Sequence, residues 1–234
     1  MKKKSITGVL IGAVLFHTTV VAQPASTEFV KSAVDGLRSE ILTQVNTVQT
    51  QVNTLPIVTH HIGERFQGGM VFWVDSSLQH GLMVSLHDLT PSEGIEWRNG
   101  EGGDRVVNAK GLGLGSGETN TRLIISEQTI DDQEGRFAAL LASNYQVSVD
   151  GTPCPEPITA ASTCIGGWYL PSIYELMLLH KNLKQINPNH EVSASYWSSS
   201  EHSTTDAWLL DFNSGEALIT PKAIKAHVRA IHSF

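Results

Sequence analysis

Between Val30 and Leu55 the apolar residues fall at spacings of 4, 3, 4, 4, 3, 4 and 3, which commits this stretch to a helix carrying one narrow apolar seam. The seam is Val30, Val34, Leu37, Ile41, Val45, Val48, Val52 and Leu55, and the extra four-residue step near Ile41 is a stutter in a heptad register. Gln44-Val45-Asn46-Thr47 returns seven residues later as Gln51-Val52-Asn53-Thr54, so the period is written into the polar positions too. Threonine, asparagine and glutamine elsewhere give the helix little stability of its own, and the seam must pack on something. It can lie against its own domain as an amphipathic helix, or join copies of the chain in a parallel coiled coil. Valine and isoleucine at both core positions, without a leucine-rich d layer, favour a homotrimer over a dimer. Pro56 ends the segment, which defines a helical stalk over residues 23–56.

Residues 1–22 read as a secretory signal. Lys2, Lys3 and Lys4 form a positive n-region, Ile6 to Val21 is apolar, and Val20-Val21-Ala22 presents small residues where a signal peptidase reads. A membrane anchor is the alternative, but the run is shorter than the roughly 20 residues a span needs and holds His17 and Thr18-Thr19. Cleavage would remove three of 16 basic residues, leaving 13 against 23 acidic ones, a net charge of −10. So acidic a chain has no general attraction to nucleic acid or anionic lipid, and neither nucleic acid nor a membrane span is expected. Export also accounts for Cys154 and Cys164: in an oxidising compartment such a pair is most simply a disulfide. A redox-active pair would ordinarily have Cys-x-x-Cys spacing. The expected location is the medium or the bacterial cell surface.

Residues 57–234 read as one α+β domain. Met70–Val74 and Leu82–Leu86 are short strand candidates, and the glycine-rich stretch Asn99–Asn120 reads as a long loop. Helical patterns follow at Thr121–Thr129 and Gln133–Ser143. A third begins at the capping box Ser172/Glu175 after Pro171. Strands are expected around Ala207–Phe212, Glu216–Thr220 and Ala226–Ile231, while Ser198-Ser199-Ser200-Glu201 reads as a turn with no nucleophile in it. Trp73, Trp168, Tyr169, Trp197 and Trp208 are expected as core residues.

Several motifs in order carry a resemblance. They are Gly63-Glu64-Arg65-Phe66-Gln67-Gly68-Gly69 before Val71-Phe72-Trp73, then His80-Gly81-Leu82, and Gly167-Trp168-Tyr169-Leu170-Pro171-Ser172 entering a helix with Glu175-Leu176. Tyr196-Trp197-Ser198-Ser199-Ser200-Glu201, Ala207-Trp208 with Asp211-Phe212, and Val228-Arg229-Ala230-Ile231 complete the series. Over residues 62–232 the chain resembles the C-terminal domain of the Legionella collagen-like protein and its bacterial relatives. That resemblance implies a secreted or surface domain, trimers, binding of sulfated glycosaminoglycans, and roles in attachment and biofilm. The tryptophan-rich motifs are more distantly similar to C-type-lectin-like and formylglycine-generating folds. The chain departs from the pattern in having no Gly-X-Y run, so no collagen triple helix can form and the heptad segment stands in its place.

A sulfated glycan needs cations close together, arginine as a fork and lysine as a point charge. Two windows free of acidic residues supply candidates. One holds His180, Lys181, Lys184 and His190, and the other Lys222, Lys225, His227, Arg229 and His232. The polyanion-binding set expected from them is Lys181, Lys184, Lys222, Lys225, His227 and Arg229. Both windows could equally be solvated surface, and Arg229 could be a buried structural arginine. His180, His227 and His232 would add charge near pH 6 and strengthen such a site. Metal binding is not expected. His60-His61 would point to opposite faces of a strand, and Glu101, Asp104, Glu118 and Asn120 offer calcium-type oxygens without EF-hand spacing. Gly113-Leu114-Gly115-Ser116-Gly117 is not followed by Gly-Lys-Ser/Thr, so no phosphate loop, and no other cofactor, is expected. With no catalytic constellation in the pattern, the expected function is a homotrimeric adhesin-like protein binding sulfated or other polyanionic glycans. A non-catalytic envelope or matrix protein that binds another protein is the alternative, and an enzyme the remote one.

Overall fold

The computed structural model describes residues 26–54, 57–90, 92–159, 162–186 and 194–234, with the side chains of 183–185 outside the description. The signal segment 1–22, the end of the heptad seam at Leu55 and Pro56, and His190 therefore lie outside the described residues. The chain divides into two units, Met1–Pro56 and Ile57–Phe234.

In the first unit α1 (Thr27–Asn53) is one uninterrupted helix, about 40 Å long at 1.5 Å per residue. Ser26 caps it, its hydroxyl accepting from Phe29 N at 3.2 Å, and Glu28 in the first turn complements the helix dipole. Thr54 closes it, with its N–H returned to the Gln51 and Val52 carbonyls. The heptad stripe is exposed along its described length, from Val30 at 50 % to Leu37 at 60 % and Val52 at 53 %.

Among the described residues the second unit is a mixed α+β domain of small antiparallel sheets and three α-helices. Its elements in order are β1 (Arg65–Phe66), β2 (Gly69–Val74), β3 (Gly81–Ser85), β4 (Ile95–Glu96), α2 (Ser116–Gln128), α3 (Ala138–Ser143), β5 (Val147–Ser148), β6 (Cys164–Ile165), α4 (Ile173–Ile186), β7 (Ser195–Glu201), β8 (Asp206–Asp211), β9 (Ala217–Pro221), β10 (Lys225–Ala226) and β11 (Ile231–Ser233). One sheet has the order β1-β2-β3-β11 and another β7-β8-β9, while β10-β4 and β5-β6 are two-stranded ladders. Pairing of β2 with β3 slips between Val71 and Trp73. Such a bulge lets the consecutive side chains Val71 and Phe72 both be fully buried. Two apolar clusters form the interior, one around Trp97, Trp168, Trp197 and Phe137, the other around Phe72, Tyr169, Leu176, Tyr196 and Leu210. Trp168, Tyr169 and Trp197 are thus core residues, whereas Trp73 and Trp208 are only half-buried.

Two expectations are corrected. Ser198-Ser199-Ser200-Glu201 is no turn but the buried middle and end of β7. Its serines tolerate burial because their hydroxyls are satisfied: Ser198 Oγ donates to Trp208 O at 2.7 Å and Ser200 Oγ to Gly111 O at 2.8 Å, while Ser199 Oγ accepts from Asn120 at 3.4 Å. The glycine-rich stretch is also shorter than expected, because α2 begins at Ser116, within it. The capping box does form. Ser172 N donates to Glu175 Oε2 at 2.8 Å, Glu175 N donates to Ser172 Oγ at 3.3 Å, and Glu175 Oε1 also accepts from Gly115 N, the N-cap of α2, at 2.8 Å. Burial raises the Glu175 carboxyl above its ordinary value against the lowering effect of these backbone donors. Cys154 and Cys164 are joined as the expected disulfide. Among the described residues no helix is long and apolar enough to cross a membrane.

Candidate functional site

The expected cations do not form one patch. Lys222 is fully buried in the turn after β9, and this removes it from any ligand-facing set. Its ammonium donates to Glu201 Oε1 at 2.8 Å, Thr204 O at 2.8 Å and Arg105 O at 2.9 Å, and lies 4.6 Å from the centre of the Trp97 ring. Three N–H bonds thus meet three acceptors. Glu201 in turn accepts from Val107 N at 2.8 Å and Asn108 N at 3.1 Å, with Lys110 Nζ at 3.1 Å. Burial would raise the Glu201 carboxyl, but the Lys222 hydrogen bond, the Val107 N–H and the Lys222 charge together hold it below its ordinary value.

Arg229 is also internal. Its Nε donates to Asp88 and its Nη1 to Ser85 O at 2.9 Å, with the side chain 11 % exposed. The Tyr196 hydroxyl donates to the same carboxylate at 3.0 Å, and burial together with the Asp88 charge pushes that phenol up. His227 Nδ1 is 3.1 Å from Thr90 Oγ1 and 3.7 Å from Asp88, so this histidine joins a structural cluster. His180 bonds Phe212 O at 3.2 Å and packs on the Phe212 ring, while His232 packs edge-on against Trp168. The three histidines are each held by packing inside the domain. Lys181 is exposed on α4, and Lys184 follows on the same helix with its side chain outside the description. Of the six expected ligand-binding residues, Lys181 and Lys225 are the two described as exposed.

Of the four residues considered for calcium, three are used otherwise, and Glu101 is exposed at the surface. Asp104 pairs with Arg98, Glu118 with Arg122, and the Asn120 amide is bonded to both the N–H and the carbonyl of Gly111. Among the described residues no group of three or more His, Cys, Asp or Glu side chains could hold a metal ion.

Lys225 borders a concave feature that no motif or charge window in the sequence marks. A groove of about 420 Å³ runs between the 93–100 segment, the 132–136 segment, Leu141 of α3 and Lys225 of β10. Its size is that of small-molecule sites, roughly 300–1,000 Å³. Two tryptophans fix one wall: Trp97 Nε1 donates to Ser198 O at 2.8 Å, and Trp197 Nε1 donates back to Ile95 O at 2.9 Å. Gly94, at φ +74°, lies so close to the backbone of Ala226 in β10 that a Cβ would sit 2.7 Å from its carbonyl oxygen. Asn99 fixes the other wall, its amide donating to Gln128 O at 2.9 Å and Asp132 O at 2.8 Å. Arg136 and Lys225 are exposed on the rim, and among the described residues neither has a carboxylate within ion-pair distance. Arg98 also lines the groove but is already paired with Glu96 at 3.1 Å and with Asp104. A smaller depression shares Ile95, Arg136 and Leu141 with it, and a third, beside Tyr145, Pro155 and Ile158, also shares Leu141. Only Lys225 of this set was marked by the acid-free window. Arg136 stands among acidic neighbours in sequence and carries no such signal.

No protein-family model matches the chain, and no curated protein matches it. Among solved structures, a fimbrial protein from Bacteroides ovatus is similar over 74 % of this chain and 48 % of its own length, with 15 % identity and a TM-score of 0.42. The chain spans about half of that protein's length.

Proposed function

We propose that the protein is an exported, adhesin-like binding protein whose α1 segments associate as a homotrimeric coiled coil and present several copies of a lectin-like domain to an anionic glycan. The observation that carries this reading is the exposed heptad stripe of α1, which has seven described apolar residues from Val30 to Val52 at 50–60 % exposure. An apolar stripe of that length is stable in water when buried against copies of itself. Association would also compensate for weak single sites, because linked domains bind a repeating polymer with an effective concentration in roughly the millimolar range. Among the described residues, the cations available to meet a glycan include Lys181 on α4 and the Lys225–Arg136 pair on the groove rim. A protein partner is the second reading, favoured by the run of depressions meeting at Leu141, and capture from an envelope extract beside a blank glycan array would select it.

Sedimentation equilibrium of the mature chain tests the assembly. The expected mass is three times that of one chain, and Ile41→Asp with Val48→Asp should return it to one. A wild-type monomer would end the assembly reading. Retention on immobilised heparin should fall with salt and be weaker for the monomeric variant, since attraction to a polyanion is screened and avidity is lost.

A further inference from the structure

We propose that the groove between the 93–100 segment and the 132–136 segment is a binding site for a singly charged acidic sugar, a uronic-acid residue, and not for a densely sulfated one. This deepens the glycan reading above and rests on it for the ligand being a sugar at all. The charges decide the ligand class. Arg136 and Lys225 supply two unpaired cations on the rim, while Glu93 and Asp132 line the same groove without a cation partner among the described residues. Asp132 Oδ1 accepts the Glu134 N–H at 3.0 Å, which leaves its other oxygen open. A chain of sulfates would meet these two carboxylates with like charge. A uronate brings one carboxylate for the arginine fork and hydroxyls that can donate to both acids. Its apolar ring face has the aliphatic floor of Ile95 and Leu141 to rest on, and both side chains are half-buried. Gly100, with open space where its Cβ would be, leaves the groove mouth unobstructed.

Isothermal titration and amide chemical-shift mapping on the full-length protein test the site. The probes are an oligogalacturonate, its carboxyl-reduced (neutral) form, a heparin oligosaccharide of equal length and an acidic peptide. The expected result is tightest binding of the oligogalacturonate, with shifts at Gly100 and Gly135. Affinity should fall roughly tenfold on carboxyl reduction and about tenfold in Arg136→Ala/Lys225→Ala, with Arg136→Lys between. Arg122→Ala, which removes an exposed ion pair on α2, should leave it unchanged. Heparin binding that weakens in Lys181→Ala and ignores Arg136→Ala/Lys225→Ala would overturn the groove while leaving the glycan reading standing. An acidic peptide bound there as tightly as the uronate would overturn the sugar assignment, and no binding of any glycan would overturn both.

Discussion

Lys222 and Lys225 are three residues apart, and the molecule uses them in opposite ways. Lys222 turns inward beneath Trp97, where a carboxylate and two carbonyls take all three of its N–H bonds. Lys225 pairs with Glu96 through its backbone alone and leaves its ammonium at the groove rim. The difference teaches that a run of basic residues reports charge and not availability. A cation whose donors are filled inside the protein contributes to the fold, and only one left unpaired at a concave surface can meet an anion.

The comparison can be broken most severely at Lys222. Lys222→Ala should cost about 3–5 kcal/mol of folding stability, because Glu201 loses its buried cation and keeps only the half-exposed Lys110 and two backbone N–H donors against its charge. A loss below about 1 kcal/mol in urea unfolding would place the lysine among ordinary surface residues. Glu201→Gln keeps one acceptor oxygen but no charge, and a smaller loss of about 2 kcal/mol is expected from the same measurement. The pH dependence sharpens the point. The Glu201 carboxyl titrates lower in the folded chain than in the unfolded one, so its contribution is present above the ordinary value of 4.5 and is lost as pH falls through the folded value. Unfolding curves taken between neutral pH and pH 3 should show this decline in the wild type, and less of it in Glu201→Gln. At the other end, Arg136→Ala and Lys225→Ala should each change stability by no more than about 0.5 kcal/mol, read as unshifted thermal midpoints.

Much of the fold was legible because it rests on local periodicity. The α1 seam, the β2 and β3 strands and the Ser172/Glu175 start of α4 all follow from spacing or capping chemistry. The β7 strand was not legible. Three consecutive serines resemble a turn until Trp208 on the adjoining strand β8, and Asn120 and Gly111 some eighty to ninety residues back, supply partners for their hydroxyls. The strand expected over Ala226–Ile231 is divided between β10 and β11, because its ends pair with different partners, β4 and β3. The groove was hidden for the same reason. Its walls are set by the reciprocal bonds of Trp97 and Trp197, a hundred residues apart in sequence, and by Asn99 reaching Asp132. Window composition could mark Lys225, but not that Arg136 shares its groove or that Lys222 is enclosed.

The Glu175 carboxylate has a consequence for how the domain opens. One of its oxygens holds the amide of Gly115 at the start of α2 and the other holds the amide of Ser172 at the start of α4. Neither helix can fray at its first turn without withdrawing a partner from the other. The glycine-rich loop and the entry to α4, separated by more than fifty positions in sequence, therefore behave as a single cooperative unit: whatever loosens one loosens both.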